Sequence, residues 1–195
     1  MRSIISGFIS LLVSFATSTY DECSSKLDFY PLENHVAFTD SYKPDASMLI
    51  PAAYTSTEGT IEGQYRINGV TSGKKCMKEC VSIHPTKGLV VSKTWQSKNG
   101  FQQHVLVNNS KARTFRDPKY RRRRALCCDS SNRLFIVESQ LPITLNKFAN
   151  ELSGHFRVAV NLDMGPWGYG WVGDESLFLW AYFFKGLQTS WIYCE

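Results

Sequence analysis

The order of patterns between residues 125 and 162 constrains the fold of this chain more than any other feature. Two apolar runs, 125–128 and 134–139, flank the polar quartet Asp129-Ser130-Ser131-Asn132. That quartet reads as a hairpin turn, because Asp, Ser and Asn side chains hydrogen-bond the turn backbone. Leu145, Phe148, Ala149 and Leu152 then recur at helical spacing behind Thr144, whose hydroxyl suits an amino-terminal cap. Gly154 closes the helix, and residues 156–162 form a continuous apolar run, the pattern of a strand in a sheet covered on both faces. Strand, turn, strand, helix, strand predicts an α+β fold: a mixed β-sheet with a few packed helices, in a single domain.

The rest of the chain adds strands. Residues 29–38 and 48–54 read as extended, and residues 64–67 lead into Asn68-Gly69, a pair that tolerates the positive φ of a type I′ hairpin turn. Residues 81–83, 88–92 and 103–107 are further candidates, the last ending at Asn108-Asn109-Ser110, a glycosylation acceptor sequence. The aromatic run 177–184 reads as a core strand, since Lys185 and Gly186 stop it short of the roughly 20 residues a membrane helix needs. No repeat or low-complexity tract interrupts the chain. Hydrophobic residues at 43% and charged residues at 20% are values of a globular protein and argue against disorder.

The amino terminus has a different character. Arg2, the apolar run 4–16 and the exit Ala16-Thr17-Ser18 match a secretory signal peptide, expected over residues 1–19, with the globular domain at 20–195. The expectation is a secreted protein, extracellular or periplasmic, with no membrane segment once the signal is cleaved. An even count of six cysteines beside an export signal predicts up to three disulfides. Adjacent Cys127 and Cys128 would point to opposite faces of a strand. Cys76-x-x-x-Cys80 has no second pair at ligand spacing, so no metal is expected. The net charge of +5 comes nearly all from Lys119 and the arginines at 121–124. That run reads first as a solvated loop end, with a contact for phosphate or an acidic glycan and a dibasic processing site as the alternatives; one tyrosine, Tyr120, is its only aromatic neighbour, and no nucleic-acid partner is expected.

One strand end carries chemistry. The apolar run leads through Asn161 and Leu162 to Asp163 and then a glycine-bearing aromatic loop, and a carboxylate held by a strand beside a flexible loop is where sites are built. Asn161, two residues earlier, shares a sheet face with Asp163. Trp167, Tyr169 and Trp171 alternate with Gly168 and Gly170, a surface suited to stacking on sugar rings or to capping the core. Glu58, Glu62, Asp174 and Glu175 are unranked candidates for a second carboxylate. His84, His104 and His155 lack partners at diagnostic spacing and read as structural or surface residues.

Residues 123–165 resemble the phosphodiester glycosidase domain family. There an Arg-Thr-Ala-Ile-Gly-like strand is followed by a hairpin, a Thr-x-x-x-Leu/Phe-Ala helix and a strand ending Asn-Leu-Asp-Gly-Gly. The corresponding text here is Arg123-Arg124-Ala125-Leu126-Cys127, then 134–137, then 144–152, then Asn161-Leu162-Asp163-Met164-Gly165. Upstream, Ala52-Ala53-Tyr54 with Gly63 and Asn68-Gly69 is similar to the family's earlier segment. The resemblance implies an exported hydrolase that cleaves the glycosidic bond of a sugar-1-phosphate diester on a glycan or cell-surface conjugate, without a cofactor. It implies Arg123 and Asp163 as catalytic: Arg123 on the phosphate, Asp163 stabilising the oxocarbenium-like sugar, attacking it or activating water. Asn161, Gly165, Trp167, Tyr169 and Trp171 would bind substrate. Three departures stand out: the early Asn is replaced by Pro51 or absent, Cys127 stands for a glycine, and Met164 for the glycine after the Asp. They leave an alternative, a catalytically inactive secreted carbohydrate-binding module on the same fold.

Overall fold

The computed structural model describes residues 26–32, 35–164, 170–177 and 190–194. The expected signal peptide, Cys23, the loop residues Gly165, Trp167 and Tyr169, and most of the aromatic run 177–184 lie outside them. The described residues form sixteen strands and one helix. The first five are β1 (Leu27–Leu32), β2 (Val36–Thr39), β3 (Met48–Pro51), β4 (Tyr65–Ile67) and β5 (Val70–Ser72). Next come β6 (Cys80–His84), β7 (Gly88–Ser92), β8 (Asn99–Phe101), β9 (Val105–Asn108) and β10 (Lys111–Ala112). The chain continues with β11 (Arg124–Cys128), β12 (Leu134–Ser139), helix α1 (Leu145–Ser153) and β13 (Val158–Asn161). It ends with β14 (Gly170–Val172), β15 (Glu175–Leu177) and β16 (Trp191–Cys194).

These strands make three sheets, ordered β1-β12-β11-β13-β9-β10, β15-β14-β3-β16-β2 and β5-β4-β8-β6-β7. Every strand pair is antiparallel. The expected α+β fold with a mixed sheet is therefore corrected: the molecule is mostly β, with a single helix among the described residues. The physical reason lies in the crossover. Helix α1 links β12 to β13, which run parallel to each other, but β11 sits between them and is antiparallel to both. A strand-helix-strand sequence thus closes no parallel ladder.

The segments themselves form where their residues direct. Asn68 and Gly69 take φ of 50° and 88° and close the β4–β5 hairpin. Thr144 accepts a hydrogen bond from the Lys147 amide at 3.2 Å and caps α1, whose Leu145, Phe148, Ala149 and Leu152 are buried. At Gly100 in β8 a side chain would run into the Val81 carbonyl and the Trp95 ring, so only glycine lets β8 lie between β4 and β6.

Two apolar layers result. The inner core draws Phe38 and Ile50 from the second sheet, Val81 and Phe101 from the third, and Leu126 and Val160 from the six-stranded sheet. The other face of the six-stranded sheet packs Ala125, Cys127 and Ala159 against Phe148 and Leu152 of α1. As expected of adjacent strand residues, Cys127 faces the helix and Cys128 the inner core. All five described cysteines are free thiols, so no disulfide forms among them.

Candidate functional site

The exit of β13 brings distant segments together. Ala125 lies opposite Asn161 in the β11–β13 ladder, and the Leu162 amide donates to the Arg124 carbonyl at 2.9 Å. The next amide, of Asp163, donates instead to the Ala52 carbonyl at 2.9 Å. At Asp163 the chain therefore passes from the six-stranded sheet to the segment that leaves β3. That segment presents Tyr54, whose hydroxyl accepts a hydrogen bond from Asn161 Nδ2 at 2.8 Å. A return loop fastened by the Glu62 amide on the Tyr54 carbonyl, 2.8 Å, carries Glu62 to the same place.

The fourth segment is the arginine run. Arg121 and Ile143 exchange backbone hydrogen bonds of 3.2 and 2.8 Å, so the run is strapped beside the residues that lead into α1. Two of its members are not the solvated loop end expected from sequence. Arg124 is fully buried and its Nε donates to Glu138 Oε1, its direct partner in the β11–β12 ladder. Glu138 is buried as well and lies 3.7 Å from Arg122. Burial lowers the Arg124 pKa, and the carboxylates of Glu138 and Asp163 oppose that shift. A buried guanidinium persists because its partner enters the core with it.

Arg123 is 7% exposed and its guanidinium is held by three acceptors. Its Nε reaches the Ile143 carbonyl at 3.2 Å, and its Nη2 reaches the Lys119 carbonyl at 2.8 Å and Asp117 Oδ2 at 3.2 Å. A guanidinium carries five N–H groups. Nη1 is the edge these contacts leave over.

Together the four segments line a hollow of about 350 Å³, whose polar wall includes Tyr54, Glu62, Arg121, Arg122, Arg123, Asn161 and Asp163. Asp163 is 6% exposed. Of the residues expected to bind or act on substrate, Arg123, Asn161 and Asp163 line one hollow. Trp171 is not among the lining residues; its indole N–H donates to the Ala46 carbonyl at 2.8 Å and its ring meets Tyr42 edge-on. Met164 lines the hollow too, half-buried. Among the acidic candidates the geometry selects Glu62, while Glu58 and Asp174 lie exposed in turns away from it.

Tyr54 sits in the middle of these charges. Its pKa is pushed up to about 12, chiefly by burial and next by the Asp163 carboxylate, against the opposing pull of Arg123. It is a neutral phenol over the whole physiological range. Having accepted from Asn161, its hydroxyl keeps a proton to donate.

Sequence reasoning missed Tyr54 and Arg121 as site residues. Tyr54 stands 107 residues from Asn161, so no local spacing joins them. The only signal was the Ala52-Ala53-Tyr54 segment itself. Arg121 was masked by its own neighbours, since a run of like residues gives no clue to which member faces where.

No protein-family model and no curated protein sequence matches the chain. Among solved structures it is similar to the catalytic domain of zebrafish N-acetylglucosamine-1-phosphodiester alpha-N-acetylglucosaminidase, auto-inhibited by pro-peptide. That match has 13% identity and a TM-score of 0.57, over 86% of this chain and 72% of the other. It is similar as well to a hypothetical protein from Synechocystis, with 11% identity and a TM-score of 0.51, over 88% of this chain and 57% of that one. The chain thus spans little more than half the length of the second. At these identities the likeness is one of fold.

Proposed function

We propose that the hollow hydrolyses the glycosidic bond of a sugar-phosphate diester in an exported protein, with a glycan or cell-surface conjugate as substrate. One observation carries the reading: an anchored guanidinium and two carboxylates share a single hollow with a neutral phenol. The similarity in fold to a phosphodiester glucosaminidase domain supports it.

The division of labour follows from the chemistry of the leaving group. A phosphate departs as a stable anion, so the site needs positive charge more than an acid. Arg123, fixed on Asp117 and two carbonyls, offers its Nη1 edge to the phosphate, and Arg121 at the exposed rim adds a second cation. As the bond between C1 and the phosphate oxygen breaks, its electron pair leaves on the phosphate. Buried Asp163 stabilises the oxocarbenium-like carbon that remains. Glu62, on the solvent side, takes a proton from the water whose oxygen bonds to C1. Tyr54 donates to a substrate oxygen, oriented by Asn161.

A second reading, a carbohydrate-binding module without turnover, draws support from Met164, a side chain in the hollow where the resembling family has glycine. Hydrolysis of an aryl sugar phosphodiester separates the two. The expected result is turnover that falls by at least about 100-fold in Asp163→Asn with the fold intact by circular dichroism. Saturable sugar binding without turnover would favour the module, and turnover surviving Asp163→Asn would remove Asp163 from the reaction.

A further inference from the structure

The expectation that Lys119 and the arginines at 121–124 supply the net charge is corrected by where the charges pair. Within that run Arg122 and Arg124 meet Glu138, and Arg123 meets Asp117. Residues 64–101, the third sheet with its loops, carry seven cations and one carboxylate, a balance of +6. The whole chain carries +5, so everything outside that sheet stands at −1. The one carboxylate, Glu79, is engaged on both oxygens by Arg113, which lies outside the sheet. Among the described residues none of the seven cations forms an ion pair, and the six lysines are all exposed.

The fold gathers these cations around one side of the sheet. Tyr65 and Ile67 of β4, and Val81 and Ile83 of β6, turn to the inner core, so Arg66 and Ser82 between them turn outward. Residues 93–98 cross this outer face, with Lys93 and Lys98 at their two ends. The Gln96 amide donates to Ser82 Oγ at 2.9 Å, and the Trp95 ring packs against Gly100. The Lys98 carbonyl accepts from the Gly69 amide at 2.8 Å, beside the β4–β5 turn. Lys74, Lys75 and Lys78 stand at the opposite end, on the loop from β5 to β6. Gln102 ties that loop down, accepting from the Cys76 amide at 3.1 Å and donating to the Met77 carbonyl at 2.9 Å. Cations therefore border the outer face from end to end.

We propose that the outer side of the third sheet binds an acidic polysaccharide. Lysine ammonium groups are compact charges on flexible stems, suited to sulfates and carboxylates repeated along a chain. Other polyanions fit the face poorly. Val70 is its only exposed large apolar side chain among the described residues, so nothing on it inserts into a bilayer. Trp95 is half-buried against Gly100 and gives no platform for stacked bases. The sheet's one arginine, Arg66, spends its Nε on the Gly69 carbonyl and is not free for paired recognition of a base edge. The surface is separate in sequence from Asp163 and Arg123, and the proposal does not rest on the hydrolase reading.

The test is a titration of the full chain with a heparin dodecasaccharide, followed by calorimetry and by 15N spectra. The expected result is saturable binding that weakens at least about tenfold between 50 and 200 mM salt, as counterion release requires. Amide shifts should concentrate in residues 73–79 and 93–98. The Lys74→Gln, Lys75→Gln, Lys93→Gln, Lys98→Gln variant should bind at least about tenfold more weakly. Arg116→Gln with Lys119→Gln should bind as the wild type does, and so should Asp163→Asn. Lack of saturation, undiminished binding by the four-lysine variant, or an equal loss in the Arg116, Lys119 variant would each overturn the proposal. So would equal binding of neutral dextran, or tighter binding at the same salt to phosphatidylserine vesicles or to a twelve-residue oligo-dT.

Discussion

Tyr54 shows how much of the site depends on a single proton. Its hydroxyl oxygen is engaged by Asn161, and its pKa stands at about 12 because burial and the Asp163 carboxylate both penalise the phenolate. The neutral form is thus favoured in the folded chain over the unfolded one, whose tyrosines titrate at about 10. Between about pH 10 and 12 the unfolded chain gives up a proton that the folded chain keeps, so stability falls as pH rises through that window. Ultraviolet difference titration of wild type against Tyr54→Phe should show this tyrosine ionising only together with unfolding; a separate transition at about pH 10 would contradict the burial. Asp163 was legible as a residue, because a strand end is a local pattern, whereas Arg123 was named only by the family resemblance, its own run reading as a solvated loop end. The contact between Tyr54 and Asn161 was not legible, because the two are joined by folding and not by spacing.

Among the elements, α1 does more than cover a sheet. Asn146 in its first turn accepts from the Phe115 amide at 2.6 Å and donates to the Phe115 carbonyl at 2.7 Å. This two-way clamp ties the segment after β10 to the helix, and with it Asp117 and Lys119, which hold Arg123. Asn146→Ala should cost about 2 kcal/mol in urea unfolding, roughly 1 kcal/mol for each bond. Hydrogen exchange of the Phe115 amide should speed up well before that of the β11 amides. The β11–β12 hairpin, the cap at Thr144 and the buried stripe of α1 were all readable, since turn chemistry and helical period are written locally. The sheet type was not. A strand-helix-strand order looks the same in sequence whether the second strand docks beside the first or skips over a third, and here β11 stands in the gap.

At the scale of the molecule, three sheets close around one inner core, and the thiols report on that closure. Cys80, Cys127, Cys128 and Cys194 are buried, and Cys76 is exposed. Burial pushes the Cys194 thiol up to about 11 and Cys127 well above its ordinary value, so neither offers a thiolate at neutral pH. Peptide mapping after brief alkylation of the native protein should therefore find Cys76 modified among the described cysteines, with Cys80, Cys127, Cys128 and Cys194 protected until denaturant is added. Protection of Cys76 together with its joining to another cysteine would restore the disulfide expected from the even cysteine count. That expectation came from composition alone, and composition does not say which sulfur atoms meet. The second sheet has a consequence in time. Strand β16 lies between β3 and β2, and the Ser47 hydroxyl donates to the carbonyl of Cys194, 147 residues further on. During synthesis the early strands β2 and β3 wait for a common neighbour far behind them in the chain, so a nascent chain carries two sticky edges until β16 has left the ribosome.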